Sequence, residues 1–183
     1  MGIFTILFIA LGLTFDTFAV SVSTGIAVNN IRFWQAVRVS VIFSVFQAVM
    51  PIIGWFGAIL IKHYLHGYDH WIAAILLWVI ALKMIWETFW VKEEEKSKNP
   101  LKTSVVVGMA IATSIDALAV GVSFGFLDVN MYVSTFIIGY TTFLVAMIGM
   151  LLGKKAGDIL GRYAEILGAL ILILIGVKIG LGL

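Results

Sequence analysis

Two stretches of sequence decide the fold: FDTFAVSVSTG at residues 15–25 and IDALAVGVSFG at residues 115–125. They align at an offset of 100 and share six of eleven residues, among them Asp16 and Asp116. The segments that follow align at an offset of 95, as with Gly54 over Gly149 and Lys83 over Lys178. Because a shared acid within a matched run of small residues rarely arises by chance, we expect a chain made of two duplicated halves.

The composition predicts a membrane protein. Of the 183 residues, 62% are hydrophobic and 12% are charged, and the mean hydropathy is +1.10. A soluble domain of this size cannot bury so much apolar surface, which argues against a soluble enzyme, a disordered chain and a nucleic-acid-binding protein. There are no cysteines, so disulfides and thiolate metal sites are excluded.

Apolar runs of about 20 residues, the length that crosses a bilayer as a helix, occur six times. The predicted fold class is therefore an all-α polytopic membrane protein, with six transmembrane helices arranged as two inverted three-helix repeats. The predicted spans are 3–28, 35–61, 70–91, 103–127, 131–153 and 163–183. They form one transmembrane domain, 1–183, with repeat one at about 1–91, a cytoplasmic linker at 92–102 and repeat two at about 103–183.

The orientation follows from the distribution of Lys and Arg. An odd number of spans in each half makes the second half insert upside down, which is typical of secondary transporters. Nine of the 12 Lys and Arg residues fall in the loops between spans one and two, three and four, and five and six, whereas Lys62 alone falls on the other side. Since positive loops stay in the cytoplasm, we expect both termini outside the inner membrane of the cell.

Asp16 and Asp116 are the predicted centre of the site. Each lies about 20 Å along its helix, near the middle of the bilayer. An ionisable group there costs about 2.5–3.5 kcal/mol on insertion scales, so its default explanation is a ligand or ion pathway. Polar residues that share a helix face with the acids, or coincide between the halves, are candidates to support the site: Ser23, Ser123, Gln47 and Thr142.

Two nearby carboxylates in a medium of low dielectric need a neutralising partner. A divalent cation supplies it, and the oxygen donors available here suit Mg, Ca or Mn rather than thiolate-bound metals. Protons could occupy the pair when no metal is bound, which suggests proton exchange. Two structural alternatives remain: acids hydrogen-bonded to neighbours, or ion pairs with Lys83 and Lys178. Lys83 could instead pair with Glu87, one helical turn away.

The whole chain resembles the bacterial manganese efflux pump family, the MntP family, within the lysine-exporter-like superfamily. The resemblance is carried by the two aspartate stretches within FDTFAVSVSTG and ATSIDALAVGVSFGFLDVN (112–130), and by MPIIGW (50–55), HWIAA…LKMIWE (70–87) and AEILGALILILIGVKI (164–179). It implies six transmembrane helices with both ends outside and export of Mn²⁺ from the cytoplasm.

The same resemblance implies roles for individual residues. The family's functional acids fall on Asp16 and Asp116. Lys83 and Glu87 fit a basic-then-acidic pattern in span three. Gln47 stands where some relatives carry an acid, so the full ligand set is open.

The leading hypothesis is a secondary transporter that exports Mn²⁺, held by the paired aspartates and exchanged for protons. Mn²⁺ is then a transported substrate, no cofactor is expected and the protein is not an enzyme. Its expected partners are Mn²⁺ or a related divalent cation and the lipid bilayer, without nucleic acid. The residues leave open the choice among Mn²⁺, Fe²⁺ and Co²⁺, an amino acid as cargo, an intramembrane aspartyl enzyme, and an assembly or channel protein. They also leave the oligomeric state open.

Overall fold

The computed structural model describes residues 3–28, 31–62, 69–90, 99–127 and 129–180. Every regular element in these ranges is an α-helix, as the sequence predicts. Side chains are described throughout except at 61–62, 69–70, 72, 84, 86–90, 154–169, 171–172, 176, 178 and 180. The helices are α1 (Ile3–Ala27), α2 (Phe33–Lys62), α3 (Asp69–Trp90), α4 (Thr103–Thr113), α5 (Ile115–Phe126) and α6 (Met131–Gly180).

Four described segments are long and apolar enough to cross a membrane. They are Ile3–Ala27, Phe33–Leu60, Thr103–Phe126 and Met131–Gly153, and they match predicted spans one, two, four and five. Fewer than half of the residues in each are buried inside the protein. Large apolar side chains such as Phe4, Leu60 and Phe136 stay more than two-thirds exposed. Lipid must cover this surface, so the chain is a multi-pass membrane protein.

Predicted span four is two helices rather than one. Its backbone departs from ideal helix dihedrals at Ser114, whose φ of −97° and ψ of −1° stay in the right-handed helical region; α4 ends at Thr113 and α5 begins at Ile115. The Ser114 amide donates to the carbonyl oxygens of both Ala110 and Ile111, which tightens the last turn of α4. Asp116 therefore lies in the first turn of a short helix within the membrane.

Predicted spans five and six belong to one helical segment, α6, and the expected loop at 154–162 is helical. The segment contains no proline, so no residue within it lacks the amide donor that helical hydrogen bonding needs. A straight helix of this length would extend about 75 Å. Ile138 and Ile179 nevertheless belong to one buried cluster with Leu13 of α1 and Leu77 of α3, so both ends of α6 pack against the same core.

Helix packing is closest where glycines meet backbone atoms. α1 packs mainly on α6, and α2 packs on α5. A Cβ atom added to Gly25 would lie 2.5 Å from the Met150 carbonyl oxygen. One added to Gly125 would lie 3.2 Å from the Trp55 carbonyl oxygen and collide with Ala58. Gly25 and Gly125 correspond at the offset of 100, and Trp55 and Met150 at the offset of 95, so equivalent positions make equivalent contacts.

Other close contacts follow the same correspondence. A Cβ atom on Gly54 would collide with the Leu118 carbonyl oxygen, and one on Gly149 would lie 3.1 Å from the Phe18 carbonyl oxygen. Pro51, inside α2, meets Gly121 of α5 through its backbone. Matched contacts of this kind are what a duplicated chain predicts. The inverted orientation of the halves and the sixth membrane crossing stay predictions.

Candidate functional site

Asp16 lies in the middle of α1, which is continuous through it. Its Oδ1 atom accepts hydrogen bonds from the Thr17 amide at 2.6 Å and from the Thr17 hydroxyl at 3.3 Å. Thr17 itself is fully buried. The carboxylate is thus oriented by the residue that follows it on the same helix, and the sequence alignment gave no sign of this contact because Ala117 occupies the corresponding position.

Asp116 is held by a different helix. Its side chain is buried, and the Lys83 ammonium on α3 lies 2.7 Å from its Oδ1 atom. The structure therefore contains one of the predicted alternatives, an ion pair between Lys83 and an aspartate. The Glu87 side chain lies outside the described residues, as does that of Lys178, so their predicted pairings stay predictions.

The two carboxylates and the ammonium form one electrostatic cluster. Asp16 lies within range of both Asp116 and Lys83, and its charge interacts with each of them. Helices α1, α3 and α5 each contribute one group. With all three ionised, the cluster carries one net negative charge in a medium where charges are poorly screened. Such a cluster attracts a cation.

Gln47 lies beside the turn of α1 that carries Asp16. Its side chain is fully buried, and its Nε2 group donates to the Leu13 carbonyl oxygen at 3.1 Å. Its Oε1 atom is also buried and has no hydrogen-bond partner. A buried acceptor without a donor costs about 1–3 kcal/mol, so this oxygen is an unused acceptor next to the turn that carries Asp16.

The other predicted support residues make local contacts. The buried Thr142 hydroxyl donates to the Ile138 carbonyl oxygen of its own helix at 2.8 Å. The Ser123 hydroxyl bonds the Ala119 carbonyl oxygen at 3.2 Å and approaches that of Ala73 on α3 at 3.5 Å, which ties α5 to α3. Ser23 is half-buried on α1. The structure therefore brings Gln47, more than the hydroxyl residues, to the turn that carries Asp16.

The donor set limits the kind of ion. Within the described part of the chain, no three His, Cys, Asp or Glu side chains come together in a metal-binding group. A dication at Asp16 and Asp116 would have to complete its coordination with amide, hydroxyl or backbone oxygens. Hard cations accept such donors, whereas metals that need several imidazole or thiolate ligands do not fit.

Comparison with known proteins identifies the family. Residues 30–179 match the family model described as "Putative manganese efflux pump". A relative from Clostridium botulinum, "Putative manganese efflux pump MntP 2", is 44% identical over 98% of this chain and 94% of its own length. A relative from Gloeothece citriformis, "Putative manganese efflux pump MntP", is 41% identical over 98% of this chain and 95% of its own length.

A third relative with the same description, from Clostridium perfringens, is 42% identical over 98% of this chain and 94% of its own. No solved structure matches the chain. The similarity extends over both aspartate stretches and covers nearly the full length of each relative. The resemblance seen in the sequence is thus confirmed, and the chain belongs to the MntP family of manganese efflux pumps.

Proposed function

We propose that this protein exports Mn²⁺ from the cytoplasm across the cell's inner membrane, with Asp16 and Asp116 as ligands of the ion. The observation that carries the proposal is the cluster in which these two carboxylates, from different helices, interact with each other. Relatives named as manganese efflux pumps support the cargo and indicate transport rather than catalysis. Mn²⁺ is then the substrate and not a resident cofactor.

The chemistry of the cluster suits a dication. Two carboxylates balance its charge, and a hard ion of this size accepts carboxylate, amide and carbonyl oxygens. We assign the unpartnered Gln47 Oε1 atom as a third ligand, because it is fully buried next to the Asp16 turn and lacks a donor. A neutral amide binds more weakly than a carboxylate, which favours release of the ion after it has crossed.

The proposed transport cycle uses the two halves of the chain. Interrupted helices at the centre of a membrane commonly carry the ion sites of secondary transporters, and the position of Asp116 in the first turn of α5, directly after the break at Ser114, supports such a site. The matched contacts of the two halves support six crossings with an inverted second half and both termini outside. The two halves would then rock against each other around a site that stays near the midplane.

We further propose that protons replace Mn²⁺ on the carboxylates during the return step. Two carboxylates with one ammonium nearby leave an uncompensated negative charge, which a proton can neutralise once the metal has left. Mn²⁺ flux into inverted vesicles should therefore respond to an imposed pH gradient. Flux that is indifferent to the gradient would exclude proton coupling while leaving Mn²⁺ export intact.

Expression in a manganese-sensitive bacterial strain tests the function. The wild-type chain should lower cell manganese and restore growth, and Asp16→Asn and Asp116→Asn should both fail, because a neutral amide cannot balance the cation. Gly57→Ala is the matched control, since a methyl group there meets nothing within 4 Å. Immunoblots of membrane fractions establish equal abundance. Full rescue by either Asn variant would overturn the ligand assignment, and parallel measurements of iron and cobalt would define selectivity.

A further inference from the structure

The ion pair between Lys83 and Asp116 has a consequence for the transport cycle. We propose that the Lys83 ammonium is a tethered counter-ion, which occupies the cation position at Asp116 in the empty protein and is displaced when a dication binds. This inference rests on the proposed function, because it assigns Asp116 to the ion site. It makes Lys83 a positioning residue that sets affinity and discriminates between ions.

The two partners differ in their freedom to move. Asp116 sits in the first turn of α5, where its side chain is 6% exposed, whereas 38% of the Lys83 side chain is accessible. Lys83 reaches the carboxylate from α3 through four flexible methylene groups. The lysine can therefore withdraw along its accessible side, while the aspartate stays where the helix holds it.

The charges of the cluster favour this exchange. With Lys83 in place, the two carboxylates carry one net negative charge. A bound dication would turn the cluster net positive and would lie a few ångströms from the ammonium, where like charges repel strongly at low dielectric. Withdrawal of Lys83 makes the loaded site neutral. The neutral arrangement is the more stable one, so binding of the dication and release of Lys83 are coupled.

The same exchange selects against monovalent cations. Na⁺ or K⁺ would replace one positive charge by another at Asp116 and would gain little, since the ammonium is already tethered beside the carboxylate. A dication doubles the attraction to Asp16 and Asp116 and offsets the loss of the ammonium. The tether also supplies a replacement charge when the ion leaves, which prevents Mn²⁺ from remaining trapped between two bare carboxylates.

Titration of the purified full-length protein in detergent micelles with MnCl₂ tests the proposal. Lys83→Met should bind Mn²⁺ about tenfold more tightly, since the competing charge is gone, and NaCl should now weaken that binding beyond its effect on wild type. Lys83→Arg should stay close to wild type in both respects. Lys102→Met is the control, because it removes an exposed lysine at the start of α4.

A folded Lys83→Met protein whose affinity is unchanged or reduced would overturn the proposal, as would an unchanged response to NaCl. A permanent structural pair predicts one of these results. If wild type itself bound no Mn²⁺, the proposed function would fail instead, so the two failures are distinguishable. Export should decline in Lys83→Met even though binding is tighter, because release becomes slow.

A second measurement uses the wild-type chain and needs no variant to fold. An amine-reactive reagent is applied with and without MnCl₂, and modification of Lys83 and Lys102 is compared by peptide mass spectrometry. Modification of Lys83 should rise several-fold with MnCl₂, whereas that of Lys102 should not change. Equal or reduced modification of Lys83 in the presence of saturating MnCl₂ would contradict displacement.

Discussion

The turn around Asp16 and the turn around Asp116 come from matched stretches of sequence, yet their structures differ. Asp16 lies on an unbroken helix and accepts both of its described hydrogen bonds from Thr17. Asp116 follows a helix break and pairs with Lys83 from α3. The duplicated halves thus keep the acid and change what holds it. One carboxylate is oriented by its own helix, and the other depends on a cation from a neighbour.

Of the two turns that carry the aspartates, only the one in the second half follows a helix break. Thr14 and Ser114 correspond at the offset of 100, and each hydroxyl bonds a carbonyl oxygen of its own helix. Since both hydroxyls make such bonds, they do not explain why only the second helix is interrupted. The matched glycines Gly54 and Gly149 do distinguish the halves, because the backbone of α5 lies closer to Gly54 than the backbone of α1 lies to Gly149.

The largest expected effect tests this difference in packing. Gly54→Ala should destabilise the protein by about 3 kcal/mol, because its methyl group would collide with the Leu118 backbone next to Asp116. Gly149→Ala should cost about 1 kcal/mol, since its nearest neighbour, the Ser21 Cβ atom, lies 2.9 Å away. Thermal unfolding in detergent measures both, with Gly57→Ala as the control. Equal losses at Gly54 and Gly149 would mean that the two packing contacts are equivalent.

The next largest effect is a difference between the two acids in how much each contributes to stability when no metal is bound. Asp116→Asn should destabilise the protein by about 2 kcal/mol, because the ion pair between this carboxylate and Lys83 is lost; the 38% accessibility of Lys83 keeps this below the loss expected for a fully buried pair. Asp16→Asn should change stability by less than about 0.5 kcal/mol, since it removes a like charge. Unfolding of both variants in metal-free detergent measures the difference. Greater destabilisation by Asp16→Asn would reverse the assigned roles.

A smaller effect is expected at Thr17. Thr17→Ala makes the first half resemble the second at this position and removes the hydroxyl bond to Asp16, which should cost about 1 kcal/mol and weaken Mn²⁺ binding a few-fold. Thr17→Ser retains the hydroxyl and should stay close to wild type. Binding isotherms and melting curves measure both variants. Complete loss of binding in Thr17→Ala would instead indicate that the hydroxyl touches the ion.

The smallest effect is expected at the helix break. Ser114→Ala removes the hydroxyl bond to Ala110 but leaves the backbone amide bonds, so stability should change by only about 0.5 kcal/mol. Export should remain within about twofold of wild type. Melting curves and the vesicle flux assay measure these quantities. A large loss of either would show that the hydroxyl, rather than packing on α2, maintains the break.

Much of the helical framework is predictable from sequence, because apolar runs of bilayer length have few alternatives to a helix. The proximity of Asp16 and Asp116 is also predictable, because the halves are duplicated and the helix faces that carry the two acids consist of small residues, which let helices approach closely. The break at Ser114 is not predictable from the sequence, since ATSID (112–116) contains neither glycine nor proline. The hydrogen bonds from Thr17 to Asp16 were not predicted, because the matched residue of the other half, Ala117, has no hydroxyl group.

The ion pair of Lys83 with Asp116 could not be predicted from sequence either. Its sequence neighbour Glu87 and the two aspartates were all chemically suitable, and the arrangement of α3 beside α5 is what brings Lys83 to Asp116. The helical backbone at 154–162 was not predicted, for another reason. The glycines and charges around 154–162 suggest a loop by composition, but none of them prevents backbone hydrogen bonding.

Pro51 has a consequence that side-chain mutagenesis would overlook. Proline has no amide hydrogen, so within α2 it cannot donate to the main-chain oxygen four positions earlier, which belongs to Gln47. On the proposed assignment of Gln47 as a ligand, the residue has a second oxygen that lacks this helical donor, the one in its own peptide group. The second would survive every substitution at position 47. Its contribution becomes measurable only when Pro51→Ala restores the missing donor, and Mn²⁺ affinity in Gln47→Leu should then fall further, to what the two aspartates alone support.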